Sequence, residues 1–125
     1  TEAGLVVPVI KDADKLTVSE INNSIKDFAK KAQQKKLLNS DLSGATFTVS
    51  SLGKIGGIGF TRIINPPEVA IIGISRSKKQ IKLANGEISE FDLLPLSLSY
   101  DHRVINGADA GRFMDNLKNM IENYT

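Results

Sequence analysis

The chain lacks cysteine altogether and has a single histidine, His102, among its 125 residues. The absence of thiols excludes disulfide bonds, thiolate metal ligands and a cysteine nucleophile, and it fits a reducing compartment. One histidine and scattered carboxylates do not supply the usual ligand set of a zinc site. The sequence therefore predicts no metal site and no chemistry on a protein thiol.

Long apolar runs are also missing. No run reaches the ~20 residues that a membrane span needs, and no charged-then-apolar leader with a cleavage site is present. Because the chain opens in a segment with strand character, residues 4–10, we expect its natural N-terminus further upstream. We interpret the chain as a soluble fragment with no membrane partner.

The excess of basic charge is small, with a net charge of +2 and a sequence pI of about 8.9. A nucleic-acid-binding face usually combines clustered cations with aromatic residues, but only Phe28 stands among the clustered lysines here. A solvated helix face is favoured over a phosphate-attracting patch, and we expect no nucleic-acid partner. These lysines are Lys26, Lys30, Lys31, Lys35 and Lys36.

The apolar pattern predicts a mixture of strands and helices. Hydrophobic residues make up 41% and charged residues 24% of the chain, as in one ordinary globular domain. β-branched and alternating runs predict strands over residues 4–10, 45–50, 69–74 and 91–101. Asn85-Gly86 between residues 81–83 and 87–91 predicts a hairpin. The fold class is therefore α/β or α+β with a mixed sheet flanked by helices.

Two helices have recognisable starts. Thr17 and Glu20 are spaced as a capping box, and an apolar stripe at helical spacing follows them to about Lys35. A second stripe runs from about Gly107, with Asn106 as a plausible cap.

His102 is the candidate general base. It follows a strand face formed by alternating leucines and Tyr100, and it stands four residues before the expected helix cap. Burial among these side chains would favour the neutral imidazole, the form that a base working at pH 7 requires. A structural core histidine is the alternative interpretation from position alone.

Residues 99–107, with the sequence SYDHRVING, resemble the D-H-R-x-x-D/N-G signature of dihydrolipoamide acyltransferases, the acyltransferase components of 2-oxo acid dehydrogenase complexes. Chloramphenicol acetyltransferases share a shorter form. Four further segments look like the same family in the same order, so the resemblance covers essentially the whole chain: residues 4–14, 46–53, 64–70 and 95–100.

The resemblance implies catalytic roles for three residues. His102 matches the histidine that takes a proton from the thiol of coenzyme A, or from dihydrolipoamide in the reverse direction. Ser50 matches the serine that stabilises the oxyanion, although without the family it would be an ordinary strand serine beside Ser51. Asn106 stands where many relatives have aspartate, so it either acts near the oxyanion or only caps the helix. Residues that would contact coenzyme A are not identified.

Two neighbouring features receive structural interpretations. Asp101 and Arg103 flank His102 and point away from its face, so an ion pair between them is favoured over a part in catalysis. Residues 53–59 are glycine-rich, but a Walker loop requires different spacing and Arg62 occupies the position of the third glycine of a dinucleotide fingerprint. We predict a turn there.

The family implies a coenzyme A-dependent acyltransferase fold and a homotrimer in which His102 faces Ser50 of the neighbouring chain. Coenzyme A and a lipoyl group on a separate domain would be the substrates, with acetyl as the expected acyl group. The decarboxylase and dihydrolipoamide dehydrogenase components would be partners. The location would be bacterial cytoplasm or the mitochondrial matrix.

By this resemblance, residues 1–125 are the C-terminal part of the catalytic domain, and the lipoyl and peripheral subunit-binding domains are absent. Three alternatives remain open. They are a non-catalytic assembly core, a basic module that binds phosphate-rich ligands, and another coenzyme A-dependent acyltransferase (succinyl, branched-chain or antibiotic-acetylating). The fragment alone is expected to be inactive or incompletely folded.

Overall fold

A computed structural model describes residues 4–51 and 61–124 of the chain. The chain divides into two compact units, residues 1–45 and residues 46–125. The predicted turn at residues 53–59 lies outside the described residues.

Helix α1, Val18–Gln33, organises the first unit. Its capping box is present: the Glu20 amide donates to Thr17 Oγ1 at 3.3 Å, and the Thr17 amide donates to Glu20 Oε2 at 2.7 Å. These hydrogen bonds satisfy amides that no helical carbonyl can reach. The Thr17 hydroxyl also donates to Glu20 Oε2, at 2.7 Å, and this bond, followed by the one from the Thr17 amide, lowers the pKa of the Glu20 carboxyl. The sequence prediction for this helix start is confirmed.

The strand predicted over residues 4–10 is wrong. Those residues are extended without strand pairing, and a single hydrogen bond from the Val9 amide to the Asp41 carbonyl at 2.8 Å ties them to the 3₁₀ turn Asn39–Leu42. Pro8 cannot donate to a strand ladder, and no other strand lies within the described residues of this unit. The β-branched composition alone therefore does not produce a sheet here.

The second unit contains five strands and one helix. A three-stranded sheet has the order β1-β2-β5, and β3 and β4 form a separate hairpin. β1 pairs parallel to β2, and β5 pairs antiparallel to β2, so the sheet is mixed as predicted. The elements are β1 Thr48–Ser51, β2 Ala70–Ile74, β3 Lys78–Ala84, β4 Glu87–Leu93, β5 Leu96–Tyr100 and helix α2 Gly107–Glu122.

The hairpin forms where Asn85-Gly86 predicted it. Both turn residues have positive φ, 54° for Asn85 and 81° for Gly86, which is what a two-residue type I′ turn requires. The single strand predicted over residues 91–101, however, is two strands. Leu94-Pro95 interrupts it, and the Pro95 carbonyl accepts a hydrogen bond from the Ser75 amide at 3.1 Å.

The core of the second unit lies along β2. Ala70, Ile71 and Ile72 are all at most 5% exposed, because β2 has a strand on each side. Helix α2 packs beside β5 and contributes the buried Ala110. The Phe113 ring of α2 also contacts Phe47, just before β1, at a centroid distance of 5.8 Å.

In residues 4–51 and 61–124, neither helix combines the length and apolarity needed to cross a membrane.

Candidate active site

The β1-β2-β5 sheet has one polar face, on which Ser50 lies. Ser50 pairs with Gly73 of β2, and Gly73 pairs with Ser97 of β5, so the three form one row across the sheet. The next row holds Thr48, Ile71 and Ser99. Since side chains alternate along each strand, both rows point to the same side. This side, Thr48, Ser50, Gly73, Ser97 and Ser99, is called the polar face below.

Strand alternation separates the two serines that the sequence alone does not distinguish. Ser50 lies on the polar face and is half-buried. Ser51, its neighbour, pairs with Ile74 and lies in the row of Leu96 on the opposite, apolar face. Ser50 is therefore the serine with polar surroundings.

Thr48 is held on the polar face by a carboxylate. Its Oγ1 donates to Glu68 Oε2 at 2.6 Å, and Thr48 is only 6% exposed. This hydrogen bond fixes β1 two residues before Ser50 and ties it to the segment that leads into β2. The backbone that carries Ser50 is thus held by sheet pairing and by a side-chain contact.

His102 stands on a turn directly after β5. The Val104 and Ile105 amides both donate to the Asp101 carbonyl, at 3.0 and 2.9 Å, and the Asp101 amide donates to the Val69 carbonyl at 2.8 Å. The sequence placed His102 within a buried strand face, but its side chain is exposed. The burial expectation is wrong because β5 ends at Tyr100 and the turn moves His102 out of the sheet.

The ring of His102 contacts Tyr100, with centroids 5.6 Å apart and planes inclined by 40°. Tyr100 belongs to the row of Ala70, on the apolar face of the sheet. Its hydroxyl also approaches Gly107 at the start of α2, 3.8 Å from where a Cβ would stand. Tyr100 thus links the histidine to the sheet and to the following helix.

Asp101 and Arg103 form the predicted ion pair. Arg103 Nη2 donates to Asp101 Oδ2 at 2.6 Å, Arg103 Nε donates to Oδ1 at 2.9 Å, and the Arg103 amide also donates to Oδ1 at 3.0 Å. The hydrogen bonds from Arg103 lower the pKa of Asp101 to about 2. The ion pair joins the residues on either side of His102 and so stabilises the turn that carries the histidine.

Asn106 caps helix α2, as the sequence predicted. Its Oδ1 accepts from the Asp109 amide at 2.9 Å, and its Nδ2 donates to Asp109 Oδ2 at 2.6 Å. Both ends of the amide are therefore engaged in the cap. Asp109 is in turn paired with Arg112.

Ser50 and His102 of one chain are not brought together. Ser50 lies on the polar face, whereas His102 contacts Tyr100 of the apolar face. From Ser50 the path to Tyr100 crosses two strands, to Ser97 of β5, and then runs three residues along β5. With ordinary strand dimensions the Cα atoms of Ser50 and Tyr100 are roughly 14 Å apart. A cavity of about 480 Å³ opens beside Asp101 and Arg103, but neither Ser50 nor His102 lines it.

Sequence reasoning missed Arg62, which is buried against the polar face. It is 8% exposed, and its guanidinium occupies the space that a Gly73 side chain would fill. A glycine inside a β-branched strand indicates close approach of another group, so Gly73 was the available signal. Nothing in the sequence identified which residue approaches it.

Within residues 4–51 and 61–124, no three histidine, aspartate or glutamate side chains cluster as metal ligands.

A family model for 2-oxoacid dehydrogenases acyltransferase (catalytic domain) matches residues 1–125. The chain belongs to this acyltransferase family. Its mixed sheet and helices are the α+β fold of the acyltransferase catalytic cores, as the following structural similarity shows.

Two similar proteins carry different acyl specificities in their names. The dihydrolipoyllysine-residue acetyltransferase component of the pyruvate dehydrogenase complex of Pseudomonas aeruginosa is 49% identical over 121 residues, 97% of this chain and 22% of that protein. The succinyltransferase component of the 2-oxoglutarate dehydrogenase complex of Rickettsia typhi is 45% identical over 123 residues, 98% of this chain and 31% of that protein.

A solved acyltransferase structure has the same fold. Dihydrolipoamide acetyltransferase of Azotobacter vinelandii superposes with a TM-score of 0.89 at 45% identity, covering 96% of this chain and 49% of that chain. The present chain thus spans about half of that structure, and less than a third of the two relatives above.

Proposed function

We propose that this chain is the C-terminal part of the catalytic domain of a dihydrolipoamide acyltransferase, and that it transfers an acyl group between a dihydrolipoyl group and coenzyme A. The observation that carries the proposal is that the chain holds an exposed His102 on a hydrogen-bonded turn and presents a half-buried Ser50 on the polar face of its sheet. Family membership supplies the reaction class.

His102 acts as the general base. It takes the proton from the thiol of coenzyme A, which at a pKa near ~8.5 is mostly protonated at pH 7. The thiolate attacks the carbonyl carbon of the acyl-dihydrolipoyl thioester. Collapse of the tetrahedral intermediate breaks the bond to the lipoyl sulfur, and His102 returns the proton to that sulfur. No acyl-enzyme forms, in agreement with the absence of cysteine.

Ser50 stabilises the tetrahedral intermediate because its hydroxyl group donates a hydrogen bond to the oxyanion. The Azotobacter vinelandii structure comes from an investigation of the role of one serine, one histidine and one asparagine in the catalytic mechanism of that enzyme. Those three residues have the same spacing along the chain as Ser50, His102 and Asn106. This agreement supports the assignment of Ser50 rather than Ser51.

Asn106 is proposed as a positioning residue. Its amide caps α2 directly after the turn that carries His102. An asparagine cannot supply the negative charge that a Ser-His-Asp triad would place beside an imidazolium. Its contribution to the reaction is therefore to hold the histidine turn against the helix.

The active site is proposed to form between two copies of the chain. Ser50 of one copy lies on the polar face of the sheet, whereas its His102 lies beyond the end of β5 against Tyr100 of the apolar face. The mechanism needs both residues within hydrogen-bond distance of one thioester. A homotrimer, in which each His102 meets the neighbour's Ser50, satisfies this requirement with closed symmetry. Such trimers would build the core that binds the decarboxylase and dihydrolipoamide dehydrogenase components.

Acetyl is proposed as the acyl group on the sequence resemblance alone, since an acetyltransferase component and a succinyltransferase component have similar identity to this chain, at 49% and 45%. The test compares kcat/KM for acetyl-CoA and succinyl-CoA with dihydrolipoamide as acceptor. A higher value for acetyl-CoA supports the proposal, and a higher value for succinyl-CoA rejects it.

The reaction itself is tested in the full-length protein, where His102→Ala should lower transferase activity while assembly is retained. Full activity in this variant would favour the alternative of a non-catalytic assembly core. The alternative of a phosphate-binding module predicts nucleic-acid affinity that falls steeply with salt. Its lysine helix gives little support, because Lys31 pairs with Asp27 at 2.8 Å and Phe28 is the one aromatic residue among the lysines.

A further inference from the structure

The polar face has a buried cation beside the proposed oxyanion serine. Arg62 comes from the segment between β1 and β2 and is 8% exposed. A Cβ added to Gly73 would lie 2.7 Å from Arg62 Nη2 and 2.5 Å from Ser97 Oγ, with Arg62 Nε equally close. The guanidinium therefore lies directly on the Gly73 backbone and against Ser97.

The register of the sheet brings this cation close to Ser50. Gly73 pairs directly with Ser50, and paired residues of neighbouring strands stand about 4.8 Å apart with their side chains on the same face. A group in the place of a Gly73 side chain is therefore the lateral neighbour of Ser50. Ser97 is its neighbour on the other side.

Burying this arginine costs desolvation energy, and burial lowers the pKa of its guanidinium. An arginine nevertheless remains protonated in proteins, so a fixed positive charge stays at this point of the sheet. In a site with little water, such a charge stabilises developing negative charge more strongly than it would in solvent.

We infer that Arg62 is a positioning residue of the oxyanion site: its guanidinium, seated on Gly73, fixes the surroundings of Ser50 and favours negative charge on the oxygen that Ser50 contacts. Gly73 is the complementary requirement, because any side chain there would displace the guanidinium. This inference rests on the proposed acyl transfer and adds two residues that act through Ser50.

The experiment uses the full-length protein, with acetyl-CoA and dihydrolipoamide as substrates. Arg62→Met should lower kcat by about 10- to 100-fold, less than the loss of an oxyanion donor itself, while KM for acetyl-CoA stays unchanged. Arg62→Lys should recover part of the loss because it keeps the charge. Gly73→Ala keeps Arg62, but the added methyl group would occupy the position of the guanidinium. This variant should therefore lower kcat in the same way.

Matched controls separate this effect from general damage. Arg76→Met removes an exposed arginine, and Gly111→Ala adds a methyl group where no heavy atom lies within 4 Å. Both should keep wild-type kcat. Thermal unfolding of every variant is compared, and should Arg62→Met fail to fold, Arg62→Lys and Gly73→Ala carry the test.

A double-mutant cycle with Ser50→Ala decides whether Arg62 acts through the serine. The inference predicts that Arg62→Met adds little to the loss already caused by Ser50→Ala. Equal losses in both backgrounds would overturn it, as would unchanged kcat in Arg62→Met. The same variants are also assayed with succinyl-CoA, and a loss of kcat confined to succinyl-CoA would overturn the inference, since Arg62 would then contact the acyl chain. If Ser50→Ala and His102→Ala both keep full activity, the proposed function fails instead.

Discussion

His102 stands on a turn whose geometry depends on its two neighbours. Asp101 and Arg103 make a bidentate ion pair, and two backbone amides converge on the Asp101 carbonyl. Hydrogen bonds of this kind restrict the histidine to a small range of positions, and a general base needs such restriction to reach the same proton at every turnover.

His102→Ala in the full-length protein should lower kcat by roughly 10²–10⁴-fold, the usual contribution of a positioned base. Because the side chain is exposed and makes no hydrogen bond in the described residues, thermal stability should be unchanged. Steady-state kinetics and thermal unfolding on the same preparation check this. Activity close to wild type would exclude His102 as the base.

Arg103→Met should raise the pKa of Asp101 from about 2 toward its ordinary value of 3.8, because the hydrogen bonds from Arg103 favour the carboxylate. The folded-state pKa is lowered, so the stabilisation is present above pH 3.8 and is lost as pH falls through about 2. In Arg103→Met this acid-dependent loss should be smaller.

NMR titration of the Asp101 carboxyl group measures this change directly. Lys118→Met, which removes an exposed lysine of α2, is the control and should leave the titration where it is. An unchanged Asp101 titration in Arg103→Met would mean that the ion pair does not exist in solution.

Among the helices, strands and turns, those that depend on residues close together in the sequence were predicted correctly. The capping box, the Asn85-Gly86 turn and the Asn106 cap each depend on residues close in sequence, and each is confirmed. The strand expected over residues 4–10 failed because a strand needs a partner, and composition does not supply one. The strand expected over residues 91–101 failed because Pro95 divides it into β4 and β5.

Long-range contacts account for what the sequence missed at the candidate site. Alternation correctly grouped Leu96, Leu98 and Tyr100 on one face of the sheet. The prediction that His102 is buried failed because β5 ends at Tyr100, and the sequence did not show where this strand ends. The contact between Arg62 and Gly73 joins residues from different segments and has no local pattern. The roles of Ser50 and Asn106 came from the family resemblance and not from their spacing.

Thr17→Ala should lower the free energy of unfolding by about 1 kcal/mol, since it removes the cap of α1. Ser19→Ala is a matched control on the same exposed first turn, and it should be neutral because alanine suits a helix. Thermal unfolding of the full-length variants measures both. Equal stabilities for the two variants would contradict the capping-box assignment.

Asn106→Ser should keep both stability and kcat near wild type, because serine caps a helix as well as asparagine does. Asn106→Ala should lower the free energy of unfolding by about 1 kcal/mol. Kinetics and thermal unfolding are compared for the two variants. A large loss of kcat in Asn106→Ser at unchanged stability would show that the amide acts on the oxyanion and not through the helix.

At the scale of the whole molecule, the separation of Ser50 from His102 is the decisive feature. Ser50 lies on the polar face of the sheet, and His102 lies beyond β5 against Tyr100 of the apolar face, so we propose that a second copy completes each site. We therefore expect catalysis to be a property of the assembly. Variants that prevent assembly should lose activity even when Ser50 and His102 are intact.

Subunit complementation shows whether two copies share a site. Full-length Ser50→Ala and His102→Ala chains are co-expressed with different affinity tags, and mixed assemblies are purified through both. If each site combines His102 of one copy with the neighbour's Ser50, random mixing restores about a quarter of the interfaces to wild type. Activity should then clearly exceed that of either variant alone. Mixed assemblies no more active than the average of the two variants would contradict the shared site.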